Sequence, residues 1–271
     1  MSSASLTRPH DGVALVTLDA RDRGGFMSWE AVGAVADAMT EGREGGARVT
    51  VLASAATDYW FQHAWLPDLI AMAEGRPTSA EPDVWWRLLA EIAHVDVVTI
   101  AAINGDCSGG GAEFGWACDL RVASVNAWFG QPEVRIALAT GIGGTSRLAR
   151  LIGRTATAGM VFDGRPVTAA RINELGALNR LVAEGAAIDT AVEWAAELAT
   201  RPHASLIAEK QMLNDNDDLS LHDALRNEQR LFGGTVNSPE GVAAMKATQA
   251  RFDGGETVRE VYGAPELTAL S

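Results

Sequence analysis

The segment Ser108-Gly109-Gly110-Gly111-Ala112-Glu113 constrains this chain more than any other. It follows an apolar run, Val97-Val98-Thr99-Ile100-Ala101-Ala102-Ile103, that reads as a buried strand, and Ala112 to Cys118 continues as a helix. Three glycines at a strand-to-helix turn leave backbone N–H groups bare and let a ligand approach closely. The helix directs its positive end at that ligand. Glu113 stands in the first turn, and Phe129-Gly130-Gln131-Pro132-Glu133 supplies a second carboxylate further on. An anion-stabilising turn beside two carboxylates suits chemistry next to a carbonyl.

Around this turn, strands and helices alternate. Val13–Leu18, Arg48–Leu52, Val97–Ile103, Leu120–Ala123 and Ala127–Phe129 read as strands. Ser28 caps a helix running to Thr40, and Leu66–Ala73 and Val84–Ile92 are two more. Glu74–Pro82 reads as a flexible loop. After Thr145 the pattern turns helical, at 146–152, 154–162, 168–176, 186–200, 202–213, 219–232 and 238–252, with one short strand at Asn179–Val182. Such alternation predicts right-handed crossover units.

Formal net charge is −13, which argues against nucleic acid or an anionic membrane as a main partner. The N-terminus lacks the apolar run of a signal peptide, and no stretch is long enough to span a membrane. The two cysteines, Cys107 and Cys118, fit packed small hydrophobes better than a disulfide or a nucleophile, and a cytoplasmic setting follows. No His/Cys/Asp cluster has metal-ligand spacing, so neither a metal nor a resident cofactor is expected. Gly141-Ile142-Gly143-Gly144-Thr145 lacks the Lys-Ser/Thr ending of a phosphate loop and reads as a turn into the next helix.

The ordered pieces Ile100–Gly105, Gly109–Glu113, Cys118-Asp119-Leu120, Phe129–Glu133 and Gly143-Gly144-Thr145 resemble the crotonase, or enoyl-CoA hydratase/isomerase, family. The resemblance implies an α/β fold: a crotonase-like spiral of ββα turns over residues 1–200. A helical C-terminal segment, 201–271, then packs on neighbouring subunits of a homotrimer or a dimer of trimers. It implies Glu113 and Glu133 as the catalytic pair, and an oxyanion hole formed by the backbone N–H groups of Trp65 and Gly110. Phe26, His63, Ala64, Leu66, Gly109 and Gly141 are the implied substrate-binding positions. Coenzyme A would enter as part of the substrate, a small acyl molecule.

This sequence departs from the family pattern where CoA would bind. Gly25-Phe26-Met27 stands for Asn-Ala-Leu, with Arg21 and Arg23 nearby. Ala64-Trp65-Leu66 stands for Gly-Ala-Asp, and Met245-Lys246-Ala247-Thr248-Gln249 replaces a Phe-x-x-Lys-Arg stretch. The handle is therefore CoA, a carrier-protein pantetheine, or absent. Retention of both glutamates favours a lyase that hydrates or dehydrates an α,β-unsaturated acyl thioester. The alternatives are a double-bond isomerase or C–C bond hydrolase acting on a carrier-linked or CoA-free carbonyl, and a non-catalytic scaffold. His63 stands as a candidate acid/base. Asp68 and Asp119 read as a surface acid and a turn residue, and Trp65, with Trp85 or Trp86 in a lid-like region, as the pocket candidates.

Overall fold

The computed structural model describes residues 3–263. Contacts divide the chain into two compact units, Met1–Lys210 and Gln211–Ser271. The first unit carries strands β1 (Ser3–Thr7), β2 (Val13–Asp19), β3 (Val49–Ser54), β4 (Val98–Ile103), β5 (Cys107–Ser108), β6 (Leu120–Ser124), β7 (Trp128–Gly130), β8 (Val167–Thr168) and β9 (Arg180–Val182). Its helices are α1 (Trp29–Glu44), α2 (Leu66–Ala73), α3 (Val84–Ala93), α4 (Gly109–Ala117), α5 (Ser146–Asp163), α6 (Ala169–Glu174) and α7 (Ala187–Ala199). Helix α8 (His203–Asn216) runs across the division. Residues 264–271 of the expected helical tail lie outside the described residues.

One sheet runs β1-β2-β3-β4-β6-β9, and a smaller one runs β5-β7-β8. The pairs from β2 through β9 in the large sheet are parallel, and only β1 joins antiparallel. The alternating direction of strand side chains explains the two cores. Val49, Val51 and Ala53 of β3, with Ile100 and Ala102 of β4, pack on Ala187, Ala191, Ala195 and Ala199 of α7. Four alanines at helical spacing let that helix lie close to the sheet. Leu52, Ala101 and Ile103 face the other way, into the core that holds α1, α3 and α4. Strands buried on both faces read as continuous apolar runs, which is why they were legible in the sequence.

The helix caps follow the sequence closely. Ser28 accepts from the Ala31 N–H at the start of α1, which runs on to Glu44 rather than ending at Thr40. Gly153 sits at φ 78° inside α5, so the two helical segments 146–152 and 154–162 meet at a kink there. Strands β1, β5 and β8 were not expected. β1 is an edge strand of exposed and half-buried residues, and the other two are two residues long, so none presents an apolar run.

One acid was misjudged, and a second does more than expected. Asp68 is not a surface acid: it is 5% exposed and accepts from the Trp29 N–H (3.0 Å), the Ser79 N–H (2.9 Å) and the Ser79 hydroxyl (2.6 Å). It thereby ties the Glu74–Pro82 loop to the starts of α1 and α2. Asp119 does more than turn the chain. It accepts from Thr99 and pairs at 2.8 Å with Lys210, which is itself buried and also donates to the Ile92 and Val97 carbonyls. Both cysteines are free and buried; burial pushes the Cys118 thiol up to about 12 and the Cys107 thiol well above its ordinary value.

In the second unit, α9 (Leu221–Val236), α10 (Pro239–Asp253) and α11 (Val258–Tyr262) are capped by Ser220, Ser238 and Thr257. Leu221, Phe232, Met245 and Tyr262 are exposed there. Among the described residues, no helix is long and apolar enough to cross a membrane, and no group of His, Cys, Asp and Glu is placed to hold a metal ion.

Candidate active site

The glycine turn is a place of close approach. Gly109 sits at φ 49°, in the left-handed region, and a Cβ there would lie 2.7 Å from the His63 Cβ and 3.0 Å from Glu133 Oε1. A Cβ on Gly110 would fall 2.9 Å from the Trp85 ring, and one on Gly111 would run into the carbonyls of Phe61 and Gln62. Gly110 is the second residue of α4, where an amide has no acceptor within its helix.

The neighbouring segment 61–65 is sewn down on both sides. Ser108 N–H donates to the Phe61 carbonyl (3.3 Å), and His63 N–H donates to Ser108 Oγ (3.2 Å). On the other side, Met27 forms an isolated parallel bridge with Ala64. Met27 N–H donates to the His63 carbonyl (3.1 Å), and Trp65 N–H donates to the Met27 carbonyl (2.9 Å). This corrects the expected oxyanion donor: the Trp65 amide already has an acceptor. The Ala64 amide has none among the described residues, and its nitrogen is 3.9 Å from the Cβ position of Gly110. The free pair is Ala64 and Gly110.

Glu113 and Glu133 meet at one cavity but in different surroundings. Glu113 is 2% exposed. Its Oε1 accepts from the Gly144 N–H (2.6 Å) and its Oε2 from the Ile142 N–H (3.2 Å). Burial raises its pKa, and those amides pull against the rise. Burial pushes Glu133 further, up to about 7, with the Glu113 charge adding to the shift. The fully buried Gln131 links Glu133 to the core. With its amide set so that donors face acceptors, the nitrogen is 3.3 Å from both Glu133 oxygens and the oxygen accepts from Trp116 Nε1 at 3.1 Å. Two carboxyls, one buried among amides and one close to half-protonated at neutral pH, suit an acid–base pair.

The cavity is about 400 Å³ and lined by His63, Ala64, Leu66, Gly110, Glu113, Glu133 and Gly141, all expected. Trp85 and Trp86 line it as anticipated, and Trp29, Leu69, Ile136 and Leu138 add apolar wall that sequence reasoning missed. Phe26, Trp65 and Gly109 are not among the lining residues. The Phe26 ring instead packs 4.5 Å from His63 and 6.1 Å from Trp65.

A family model for enoyl-CoA hydratase/isomerase matches residues 8–254. The chain belongs to the enoyl-CoA hydratase/isomerase family. It is 32% identical to the 2,3-dehydroadipyl-CoA hydratase of Escherichia coli over 65% of this chain and 71% of that protein. It is 34% identical to the short-chain-enoyl-CoA hydratase of Clostridium acetobutylicum, over 55% of this chain and 57% of that one. The chain thus spans little more than half the length of some curated relatives that it matches. An enoyl-CoA hydratase subunit from Geobacillus kaustophilus superposes with a TM-score of 0.81 at 26% identity, covering 92% of this chain and 95% of that one. The crotonase fold is therefore shared along nearly the whole chain.

Against that family background, the basic residues near the first loop are already engaged. Arg21 forms a two-point contact with Asp19 (2.8 and 2.6 Å). Arg23 donates to Ser28 Oγ (2.6 Å) and lies 5.9 Å from the Trp65 ring centroid. Lys246, the cation left in the altered C-terminal stretch, is exposed on α10 of the second unit.

Proposed function

We propose that this protein is a lyase that adds water to, or removes it from, an α,β-unsaturated acyl-CoA thioester. The observation that carries the reading is the meeting of Glu113 and Glu133 at one apolar cavity, beside the unpaired Ala64 and Gly110 amides. In the hydration direction, the thioester oxygen accepts from those two amides, so charge that develops on it is stabilised as an enolate. A single donor of this kind is worth about 3 kcal/mol of transition-state stabilisation. Ionised Glu113 takes a proton from water as the water oxygen bonds to the β-carbon. Protonated Glu133 delivers its proton to the α-carbon. Both carboxyls then stand in the opposite protonation state and reset by exchange with solvent; dehydration runs the same steps backwards.

The two hydratase relatives, both named for CoA substrates, support CoA as the handle, although Phe26 departs from the family's pattern and Arg21 and Arg23 are engaged within this chain. The exposed apolar residues of the second unit fit self-association, as in the trimer expected from the family resemblance. The test is loss of the conjugated enoyl absorbance of crotonyl-CoA. Hydration is expected in the parent, and Glu113→Gln should lower kcat by about two to four orders of magnitude. Turnover that survives in Glu113→Gln would point to an isomerase needing only Glu133. No turnover and no binding of crotonyl-CoA would sink the CoA hydratase reading.

A further inference from the structure

Phe26, His63 and Trp65 all sit in the loops flanking the Ala64 amide, and the structure gathers them into one cluster. We propose that His63 is a positioning residue that fixes the Ala64 amide in the oxyanion hole; this rests on the oxyanion reading given above.

The geometry is local. His63 Nδ1 lies 2.8 Å from the Ala64 carbonyl oxygen. A carbonyl only accepts, so Nδ1 carries the proton and the tautomer is set. The peptide that follows Ala64 is then held at both ends: its carbonyl by His63 Nδ1, and its N–H by the Met27 carbonyl at 2.9 Å. The peptide that carries the Ala64 N–H has its own carbonyl held by Met27 N–H at 3.1 Å. With both planes fixed, the Ala64 amide keeps one direction, beside Gly110. The imidazole is fixed in turn. Phe26 packs against it at 4.5 Å, Trp65 lies 6.1 Å from Phe26, and Arg23 sits over Trp65. His63 lines the cavity, yet its Nδ1 is turned to its own backbone.

Two variants test this. Asparagine can place its side-chain N–H near the position of Nδ1; alanine cannot. His63→Ala should lower kcat for crotonyl-CoA about tenfold, with KM within about twofold, because a donor is misdirected rather than removed. His63→Asn should recover most of that loss. The second readout is the infrared carbonyl band of isotope-labelled butyryl thioester, offered as the CoA and as the pantetheine form. This saturated ligand does not react, and a well-aimed oxyanion hole lowers its band. The band should move back toward its solution position in His63→Ala and return in His63→Asn, with circular dichroism showing both variants folded. An unmoved band, or a raised KM with kcat intact, overturns the proposal; the latter makes His63 a substrate contact. A parent protein that shifts the band but hydrates nothing overturns the hydratase reading and leaves the positioning role standing.

Discussion

Replacing Glu133 with glutamine should make the protein more stable at alkaline pH while impairing it as a catalyst. Burial raises the Glu133 pKa from 4.5 to about 7, so the folded protein holds this proton more tightly than the unfolded chain does. The stability it contributes is whole below pH 4.5 and is lost as pH rises through about 7. The shift corresponds to roughly 3–4 kcal/mol at roughly 1.4 kcal/mol per unit, and Glu133 is only partly buried, so solvent screening reduces this to roughly 1–2 kcal/mol. Glutamine keeps the shape and has no charge to desolvate. Urea unfolding of parent and Glu133→Gln at about pH 5 and about pH 8 measures the gap at each pH. The gap should move in favour of the variant by roughly 1–2 kcal/mol between the two conditions. A gap that stays the same would show that Glu133 ionises in the folded protein as it does in water. Hydration by the parent should also decline above about pH 7, where the proton that Glu133 delivers to the α-carbon is lost.

Two further substitutions probe the frame around the site. Gly111→Ala should destabilise the protein by about 1–3 kcal/mol in chemical unfolding, because its Cβ meets the backbone carbonyls of Phe61 and Gln62, which cannot swing aside as a side chain can. Lys210→Met should cost about 3–5 kcal/mol, since it removes the ion-pair partner of the half-buried Asp119 and leaves its carboxylate hydrogen-bonded to Thr99; the double variant Lys210→Met with Asp119→Asn should recover much of that loss.

That Glu113 and Glu133 meet at one cavity was legible because two local signals carried it. The glycine turn fixes where α4 begins and hence where Glu113 points, and Phe129–Glu133 brings its own turn. That the Trp65 amide is already paired, and the Ala64 amide is not, was hidden from the sequence for a physical reason. In an extended segment every residue has an N–H, and only pairing to Met27, a residue far away in sequence, shows which of them is already used. The amides of Ile142 and Gly144 that hold Glu113 were invisible for a related reason: a backbone group acts without a side-chain signature, and the glycines there read equally well as a turn. Asp68 looked like a surface acid because its partners, the amides of Trp29 and Ser79, lie in other elements. The parallel strands needed no such partners to be seen, since burial on both faces is written into each run.

The bridge between Met27 and Ala64 also explains how the sequence can depart from its family beside the site without losing the site itself. The first loop meets the 61–65 segment through backbone hydrogen bonds, which any residue but proline at position 27 can make. The side chains on either side of that bridge are therefore free to change, provided they change together. Phe26 and Trp65 are both large and half-buried. As a pair with His63 between the loops they cover one another, and the cavity beyond them keeps its lining. Variation there should alter how the handle of the thioester is bound and how firmly the donor is aimed, while the proton chemistry at Glu113 and Glu133 stays intact.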